Sequence, residues 1–439
     1  MTASILGCFG AFCWLVWLLR RDTISLGLPI AYLFGLLLIH VPGAFAHVIG
    51  SDVLQDTHFT EIGIYFTTIG AICFVAGVWL ARSPELVLPA YGAAERERFW
   101  LFCLVAGWVF TYGLSQLGSI PTIGAAIEKG GAVWMMGVLM GLRAALLSKN
   151  LLKAATWLGA LAVYPAITLL LGGFLSYGAT ATVIVVSVLT ISTHSHWRVA
   201  LGIILASILG FNLFLSYFQA RNEIRQRVWG GAPIEERIEV SMKMFRDFKW
   251  FDPTNDGHLT ALDQRLNQNY FVGLAATRIE NGQVDYLYGR SLWEGVLALV
   301  PRAIWPEKPL FGGSPKIVAE MTGLVLHEGT SFGVGNVMEF QINFGIPGLI
   351  LGFLLLGWLI GMLDRKAALA DCRGDLGQVF VFFLPAVALI QPNGSIVELG
   401  SGSAAALLAA HVWKWLWDKF FVQHSPGAEV TPMEAVRSR

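Results

Sequence analysis

The sequence has little charge and few cysteines. Only 14% of its 439 residues are charged, and basic and acidic residues balance at 30 each, so net charge gives no case for nucleic-acid binding. Four of the five cysteines lie in apolar runs and no CxxC pair occurs, so neither a disulfide framework nor a cysteine metal site is indicated. No Lys or Arg precedes Arg20, and we therefore expect no cleaved signal peptide.

Several motifs of soluble enzymes are also missing. The chain contains no HExxH zinc motif, no Walker phosphate loop and no Gly-rich dinucleotide turn. Gly329 to Gly333 fits the G-x-S-x-G pattern, but that nucleophile elbow needs a preceding strand, and here a membrane helix follows. We therefore expect no ATP, redox or other cofactor.

Apolar residues are abundant. They make up 55% of the chain, and the mean hydropathy is +0.61. A soluble globule of this length could not hide so much apolar surface, so the excess must face lipid. We predict an all-α, multi-pass membrane protein with about eleven transmembrane helices. The apolar runs of about 20 residues that a membrane crossing needs begin near residues 2, 24, 59, 99, 132, 152, 177, 199, 336, 376 and 402.

The distribution of Lys and Arg predicts the orientation, because short cytoplasmic loops retain positive charge. Sixteen basic residues fall on one side, and the short loops of the opposite side hold only Lys129. We expect the N-terminus outside and the C-terminus in the cytoplasm. The sixteen residues are Arg20, Arg21, Arg82, Arg96, Arg98, Arg143, Lys149, Lys153, Arg198, Arg365, Lys366, Arg373, Lys414, Lys419, Arg437 and Arg439.

One long loop, residues 220–335, divides the chain. It separates a membrane bundle at 1–219, with about eight spans, from one at 336–423 with about three, and a cytoplasmic tail follows at 424–439. The loop holds 13 Lys+Arg and 14 Asp+Glu, and the same alternation of sides puts it on the outer face. Pro233 starts an amphipathic helix that carries Ile234, Ile238, Phe245 and Phe248 on one face and is expected to lie along the membrane surface.

Stiff and basic segments of this loop are candidate phosphate sites. Three prolines restrict residues 300–309, so that Arg302 and Lys308 are presented beside Trp305, and such a fixed pair suits a phosphate. The alternative is a structural turn whose Arg pairs with an acid. Arg221 and Arg225 would share one face if the preceding helix continues past the membrane, and the alternative there is anchoring to lipid headgroups.

Two further groups of polar residues follow from the sequence. His327, Glu328 and Glu339 precede or begin the ninth apolar run and are candidates for a general base. A partial calcium loop carries Asp252, Asp256 and Asp263, although Thr254 is a poor third ligand and a turn rich in Asx and Gly residues is the default interpretation. We therefore assign no metal site.

The chain resembles bacterial oligosaccharide repeat-unit polymerases, the Wzy-type enzymes of O-antigen and exopolysaccharide synthesis. The resemblance in motif covers residues 265–350, and over the remainder only the layout of spans with one large loop is similar. It departs from many members of the family by having Phe340 where they have Tyr. The residues that carry it are Arg265, Tyr286, Tyr288, Gly289, Leu292, the segment 300–309 and the segment 339–348.

This resemblance implies a GT-C-like membrane glycosyltransferase of the bacterial inner membrane, with the N-terminus and the loop 220–335 in the periplasm and the C-terminus in the cytoplasm. Its donor would be a glycan on undecaprenyl diphosphate, its acceptor a fresh lipid-linked repeat unit, and the transfer would be inverting and independent of metal. Membrane lipid and a chain-length regulator protein are further candidate partners. Arg302 and Arg221 would act on the departing diphosphate, with Glu339 or His327 as base. The substrate-binding candidates are Arg225, Arg265, Arg290, Lys308, Trp305, Tyr288 and Trp293.

Two other functions remain open at this point. An O-antigen ligase, or another lipid-linked glycan transferase, would use the same diphosphate chemistry on a different acceptor. A polysaccharide flippase or exporter would need polar residues along a central path through the membrane, whereas ionisable residues within the apolar runs are sparse.

Overall fold

The structure, a computed structural model, describes residues 1–21, 24–82, 93–114, 123–173, 183, 187, 190, 196–300, 304–305, 307–309, 314–325 and 333–422. All regular structure within these ranges is helical, which confirms the predicted all-α class. The helices are α1 (Thr2–Arg21), α2 (Leu28–Ile49), α3 (Thr57–Leu80), α4 (Ala93–Trp108), α5 (Ile123–Gly131), α6 (Val133–Leu147), α7 (Leu151–Ile167), α8 (His196–Trp229), α9 (Ile234–Arg246), α10 (Asp256–Arg265), α11 (Asn269–Glu280), α12 (Arg290–Ala298), α13 (Ser314–Thr322), α14 (Asn336–Arg373), α15 (Leu376–Leu389) and α16 (Ile396–Trp417).

Seven helical stretches in the described part of the chain are long and apolar enough to cross a membrane, so the protein is membrane-embedded. Two of the predicted runs form shorter apolar helices, Arg98–Trp108 and Leu376–Leu389. The run near 199 forms the first part of α8, and the run near 177 lies almost wholly outside the described residues. The seven are Thr2–Arg21, Leu28–Ile49, Thr57–Leu80, Gly124–Leu146, Leu151–Gly172, Asn336–Arg373 and Ile396–Phe421.

The centre of the bundle is the packing of α3 against α14. Gly77 of α3 lies against the carbonyl oxygen of Leu354, and Gly357 of α14 lies against that of Phe74. A methyl group at either glycine would overlap that backbone oxygen, so only glycine permits the two helices to approach this closely. The backbones of α3 and α14 are thereby in direct contact at these two positions.

Part of the predicted loop 220–335 contacts the helices of this bundle. Leu266 accepts a hydrogen bond from the amide of Gly43 in α2 (2.9 Å), and the amide of Gln268 donates to Ile39 of the same helix (3.0 Å). α11 then packs against α3, where Gly273 touches the backbone of Phe59. The segment from α10 to α11 therefore packs against α2 and α3.

Candidate functional site

Two arginines from two helices meet beside one aromatic ring, and a third lies one turn away on α8. α8 continues without a break from its apolar half through Trp229, so Arg221 and Arg225 do share a face, as the sequence predicted. The guanidinium carbon of Arg221 lies 4.4 Å from the centre of the Phe218 ring, and that of Arg265, at the end of α10, lies 5.2 Å from the same ring centre. Both cations therefore lie against the same ring.

Arg225 completes this arginine cluster from the next turn of α8. Its Nη2 donates to the Tyr217 hydroxyl (3.3 Å), which itself donates to the carbonyl oxygen of Gly173 (2.8 Å). Its guanidinium also lies 5.4 Å from the Trp229 ring centre. Arg225 is therefore held by aromatic side chains at the end of the helical stretch Leu151–Gly172.

Within the arginine cluster the positive charges repel one another and are partly buried, and both effects disfavour the charged form. Partial burial, and then repulsion by Arg221 and Arg225, lowers the pKa of Arg265 to about 10. Partial burial, followed by repulsion from Arg225, also lowers the pKa of Arg221. Neither Arg221 nor Arg265 makes a hydrogen bond or ion pair with any described residue, although both remain accessible from outside. Such a cluster attracts an anion.

A buried polar network holds α10, and with it Arg265, in place. His47 of α2 donates from Nε2 to Asp263 Oδ1 (2.8 Å), and Asn267 Nδ2 donates to the same oxygen (2.6 Å). The backbone amide of Gln55 donates to the other Asp263 oxygen (2.7 Å). Because Asp263 lies two residues before Arg265, these bonds fix the end of the helix that presents the cation.

The network extends deep between α2 and α3. Asn269 Oδ1 accepts hydrogen bonds from His40 Nδ1 (2.8 Å) and from Thr67 Oγ1 (3.1 Å). Thr67 lies ten residues into α3, about 15 Å from its start at 1.5 Å per residue. The sequence analysis did not single out His40, His47 or Asn269. The signal for them was present, since His40 and His47 share one helix face within an apolar run.

Glu339 is enclosed by the fold. Its side chain is buried at the start of α14, where Oε2 accepts a hydrogen bond from the amide of Ile396 at the start of α16 (2.7 Å). Ser291 is a polar neighbour of the carboxylate, but Oε1 has no donor in hydrogen-bonding geometry. As it stands, Glu339 joins two helix starts and faces no open surface.

The neighbourhood of Glu339 explains the break in α14. Asn343 Nδ2 donates to Ser291 Oγ (2.8 Å) and its Oδ1 accepts from the amide of Gly289 (3.0 Å), so the start of α12 is tied to α14. The helix geometry is then interrupted at Phe344 and Gly345, with Gly345 at φ 63°. Pro347 follows, so the polar segment predicted at 339–348 is a kinked and tied helix start.

The other predicted site residues are scattered. Lys308 Nζ donates to the carbonyl oxygens of Ala298 (2.7 Å) and Val300 (2.9 Å) and so caps the end of α12. Arg290 pairs with Glu320 at the surface (2.6 Å). Arg302, His327 and Glu328 lie outside the described residues.

Two of the predicted aromatic contacts are open to solvent or lipid. Tyr288 is 72% exposed and Trp293 is 62% exposed, whereas Trp305 is half-buried. Tyr288 also has a positive φ of 46°, an uncommon backbone conformation outside glycine. The exposed rings give this side of α12 flat apolar faces of the kind on which sugars stack.

The partial calcium loop folds as a turn followed by a helix. Asp252 Oδ1 accepts from the amide (2.9 Å) and the hydroxyl (2.7 Å) of Thr254, and Asn255 caps α10. Asp263 points into the buried network and away from this turn. Among the residues that the structure describes, no group of three His, Cys, Asp or Glu side chains is arranged to hold a metal ion.

No protein-family model, no curated protein and no solved structure matches the chain. The candidate site is therefore argued from its own geometry. Of the residues described, the arginine cluster of Arg221, Arg225 and Arg265 is the arrangement that most clearly fits a ligand, and that ligand is an anion.

Proposed function

We propose that the chain is a membrane glycosyltransferase that polymerises undecaprenyl-diphosphate-linked oligosaccharide repeat units into O-antigen or exopolysaccharide. The observation that carries this proposal is the arginine cluster beside the end of the candidate span Leu151–Gly172, where Arg221 and Arg265 form no ion pair with a carboxylate of the described residues. A lipid diphosphate is an anion held at the level where membrane helices end, and guanidinium groups bind phosphate oxygens in pairs.

The chemistry uses these cations at the point where charge develops. A hydroxyl oxygen of the acceptor sugar bonds to the anomeric carbon of the donor as the bond from that carbon to the diphosphate oxygen breaks. The electron pair leaves with the diphosphate, whose negative charge rises, and the hydroxyl proton passes to a base. Preorganised arginines stabilise this transition state more than the ground state, which is what accelerates a reaction.

The proposal assigns roles to individual residues. Arg221 and Arg265 flank the diphosphate, and Arg225 contributes from the adjoining turn of α8. Arg302 is the further cation that the family resemblance suggests, and His327 is the candidate base, since Glu339 is enclosed and already bonded to the amide of Ile396. Tyr288 and Trp293 offer exposed faces to the glycan.

The distribution of basic residues supports a periplasmic location for this reaction. Sixteen Lys and Arg residues against one predict that the ends of the helices near Arg20 and Lys414 face the cytoplasm. The arginine cluster then lies on the opposite side, at the periplasmic face of the inner membrane. Lipid-linked repeat units are assembled into polymer on that face in the family that the chain resembles.

The test is the chain-length pattern of glycan in a deletion strain complemented with single variants. We expect Arg265→Ala and Arg221→Ala to lower polymerisation about 100-fold, so that long chains vanish while single repeats persist, because each removes one transition-state charge contact. Arg227→Ala is the matched control, since this arginine lies on α8 but pairs with Glu236 at the surface (2.6 Å).

Two outcomes would overturn the proposal. Normal chain lengths with either variant present in the membrane would remove the cluster from the mechanism. Glycan attached to lipid A core with an unchanged length distribution in the active protein, and lost in the variants, would instead identify a ligase that uses the same diphosphate site.

A further inference from the structure

The amphipathic helix α9 buries only part of its apolar surface. Val240 and Met244 face inward and pack with Leu169, Ile224 and Val228, which belong to the end of the α7 stretch and to α8. This contact attaches α9 to the helix that carries Arg221 and Arg225. The inward side of α9 is therefore satisfied by protein.

A second apolar sector adjoins the first and touches no protein core. Ile234, Ile238, Met242 and Phe245 follow one another at helical spacing and are 41%, 44%, 48% and 49% exposed. Four large apolar side chains on one continuous stripe are more than the scattered apolar residues of an ordinary surface. The sequence predicted Ile234, Ile238 and Phe245 on this face, and the structure adds Met242.

The remaining sector of α9 is charged. Glu235, Glu239, Lys243 and Arg246 are exposed and lie around the helix between the exposed apolar stripe and the side that packs on α8. An apolar stripe wider than the protein contact, backed by a polar side, is the pattern of a helix that lies in a membrane interface. A helix at a purely aqueous surface would expose the charged sector alone.

The position of α9 selects the bilayer as the partner of this stripe. Arg237 Nη1 lies 3.5 Å from the carbonyl oxygen of Leu170, and Trp229 Nε1 lies 3.2 Å from that of Gly172, the last residue of the candidate span Leu151–Gly172. α9 is thus attached at the level where a membrane crossing ends. Trp229 and Trp250 flank it and are 62% and 63% exposed, and tryptophan favours this interfacial layer.

We propose that the stripe of Ile234, Ile238, Met242 and Phe245 inserts into the boundary between headgroups and acyl chains of the same bilayer that the chain spans. The partner is the lipid surface itself. Through its packing on α8, α9 then holds Arg221 and Arg225 at headgroup level. This inference concerns how the segment sits on the membrane and does not depend on the glycosyltransferase assignment.

The test is photo-crosslinking of the full-length protein in vesicles of phosphatidylethanolamine and phosphatidylglycerol. p-Benzoylphenylalanine replaces Phe245 on the stripe or, as the matched control, Arg246 in the charged sector. Both positions are exposed, so neither replacement disturbs the packed side of α9. We expect the yield of lipid adduct, read by mass spectrometry, to be about tenfold higher at position 245 than at position 246.

A second pair of positions keeps the test decisive. The same replacement at Ile238 and at its neighbour Glu239 should reproduce the contrast if either variant of the first pair is not obtained. Equal lipid adducts on the two sides of α9 would overturn the inference. So would adducts from position 245 to a second copy of the chain, because the stripe would then be a protein interface.

Discussion

Two sites with ionisable side chains differ in whether those side chains have hydrogen-bond partners, and we call the first site matched and the second unmatched. Asp364 is buried in α14, where its Oδ1 accepts from the amides of Leu26 and Leu28 (3.1 Å each) and its Oδ2 accepts from Ser25. Arg221 and Arg265 lie beside each other, and neither forms an ion pair with an acid of the described residues. The matched carboxylate builds the fold, because it caps the start of α2 from another helix. The unpaired cations repel each other, as the lowered pKa of Arg265 shows, and this repulsion is what a bound anion would relieve.

The largest expected effect comes from breaking the matched site. Asp364→Ala removes the acceptor of three hydrogen bonds and leaves their donors buried, so we expect it to destabilise the protein by about 3 kcal/mol. Thermal unfolding in detergent measures this change. Asp375→Ala is the control, since Asp375 also caps a helix but is exposed, and it should cost about 1 kcal/mol. Equal losses in the two variants would contradict the assigned role of Asp364.

A second effect, of intermediate size, concerns the network behind Arg265. Burial tends to raise the pKa of Asp263, but hydrogen bonds from His47, the Gln55 amide and Asn267 outweigh it and lower that pKa below its ordinary 3.8. The unfolded chain therefore binds this proton more readily than the folded protein does. The stabilisation is fully present above pH 3.8 and is lost as pH falls through the lower folded value.

The variant Asp263→Asn tests this pH dependence. We expect it to cost about 2 kcal/mol at neutral pH, because one oxygen that accepts charge-assisted hydrogen bonds is lost. It should also flatten the fall in melting temperature that the parent protein shows below pH 3.8. A parent and a variant with the same acid dependence would show that other carboxylates control it.

The smallest expected effect concerns Arg265 of the unmatched arginine cluster. Arg265→Met keeps a long apolar side chain beside Phe218 and removes one repelling cation, so we expect stability to be unchanged or raised by about 1 kcal/mol. Inorganic pyrophosphate should raise the melting temperature of the parent protein and not of the variant. Arg227→Met serves as the control that retains the pyrophosphate response. A loss of stability in Arg265→Met would place this arginine among the residues that hold the fold.

Local features of the chain were largely readable from its sequence. The apolar runs near 2, 59, 152, 336 and 402 begin within a few residues of the helices that the structure contains. Pro233 precedes α9 as predicted, because proline fits the helix entry and the following glutamates favour a first turn. The sequence also predicted that Arg221 and Arg225 share a face, since this required only a continuous helix.

The candidate site itself was less readable. Arg265 was named only through a family resemblance, and its approach to Phe218 requires α10 to be held against α2 by His47 and Asp263. Those two residues are 216 positions apart, and their pairing leaves no periodic mark in the sequence. Lys308 was read as a phosphate ligand from its stiff surroundings, but the carbonyl groups that it contacts depend on where α12 ends.

The sequence by itself determined that the chain is a helical membrane protein, because the amount of apolar surface and its run lengths leave no other environment for it. It also determined the two faces of α9 and the polar character of the long segment 220–335. Only the tertiary structure decided that residues 263–269 enter the bundle and that Arg265 approaches Arg221 and Arg225. Burial and hydrogen bonding between distant helices set these positions, and such contacts depend on how the helices pack rather than on the spacing of residues along the chain.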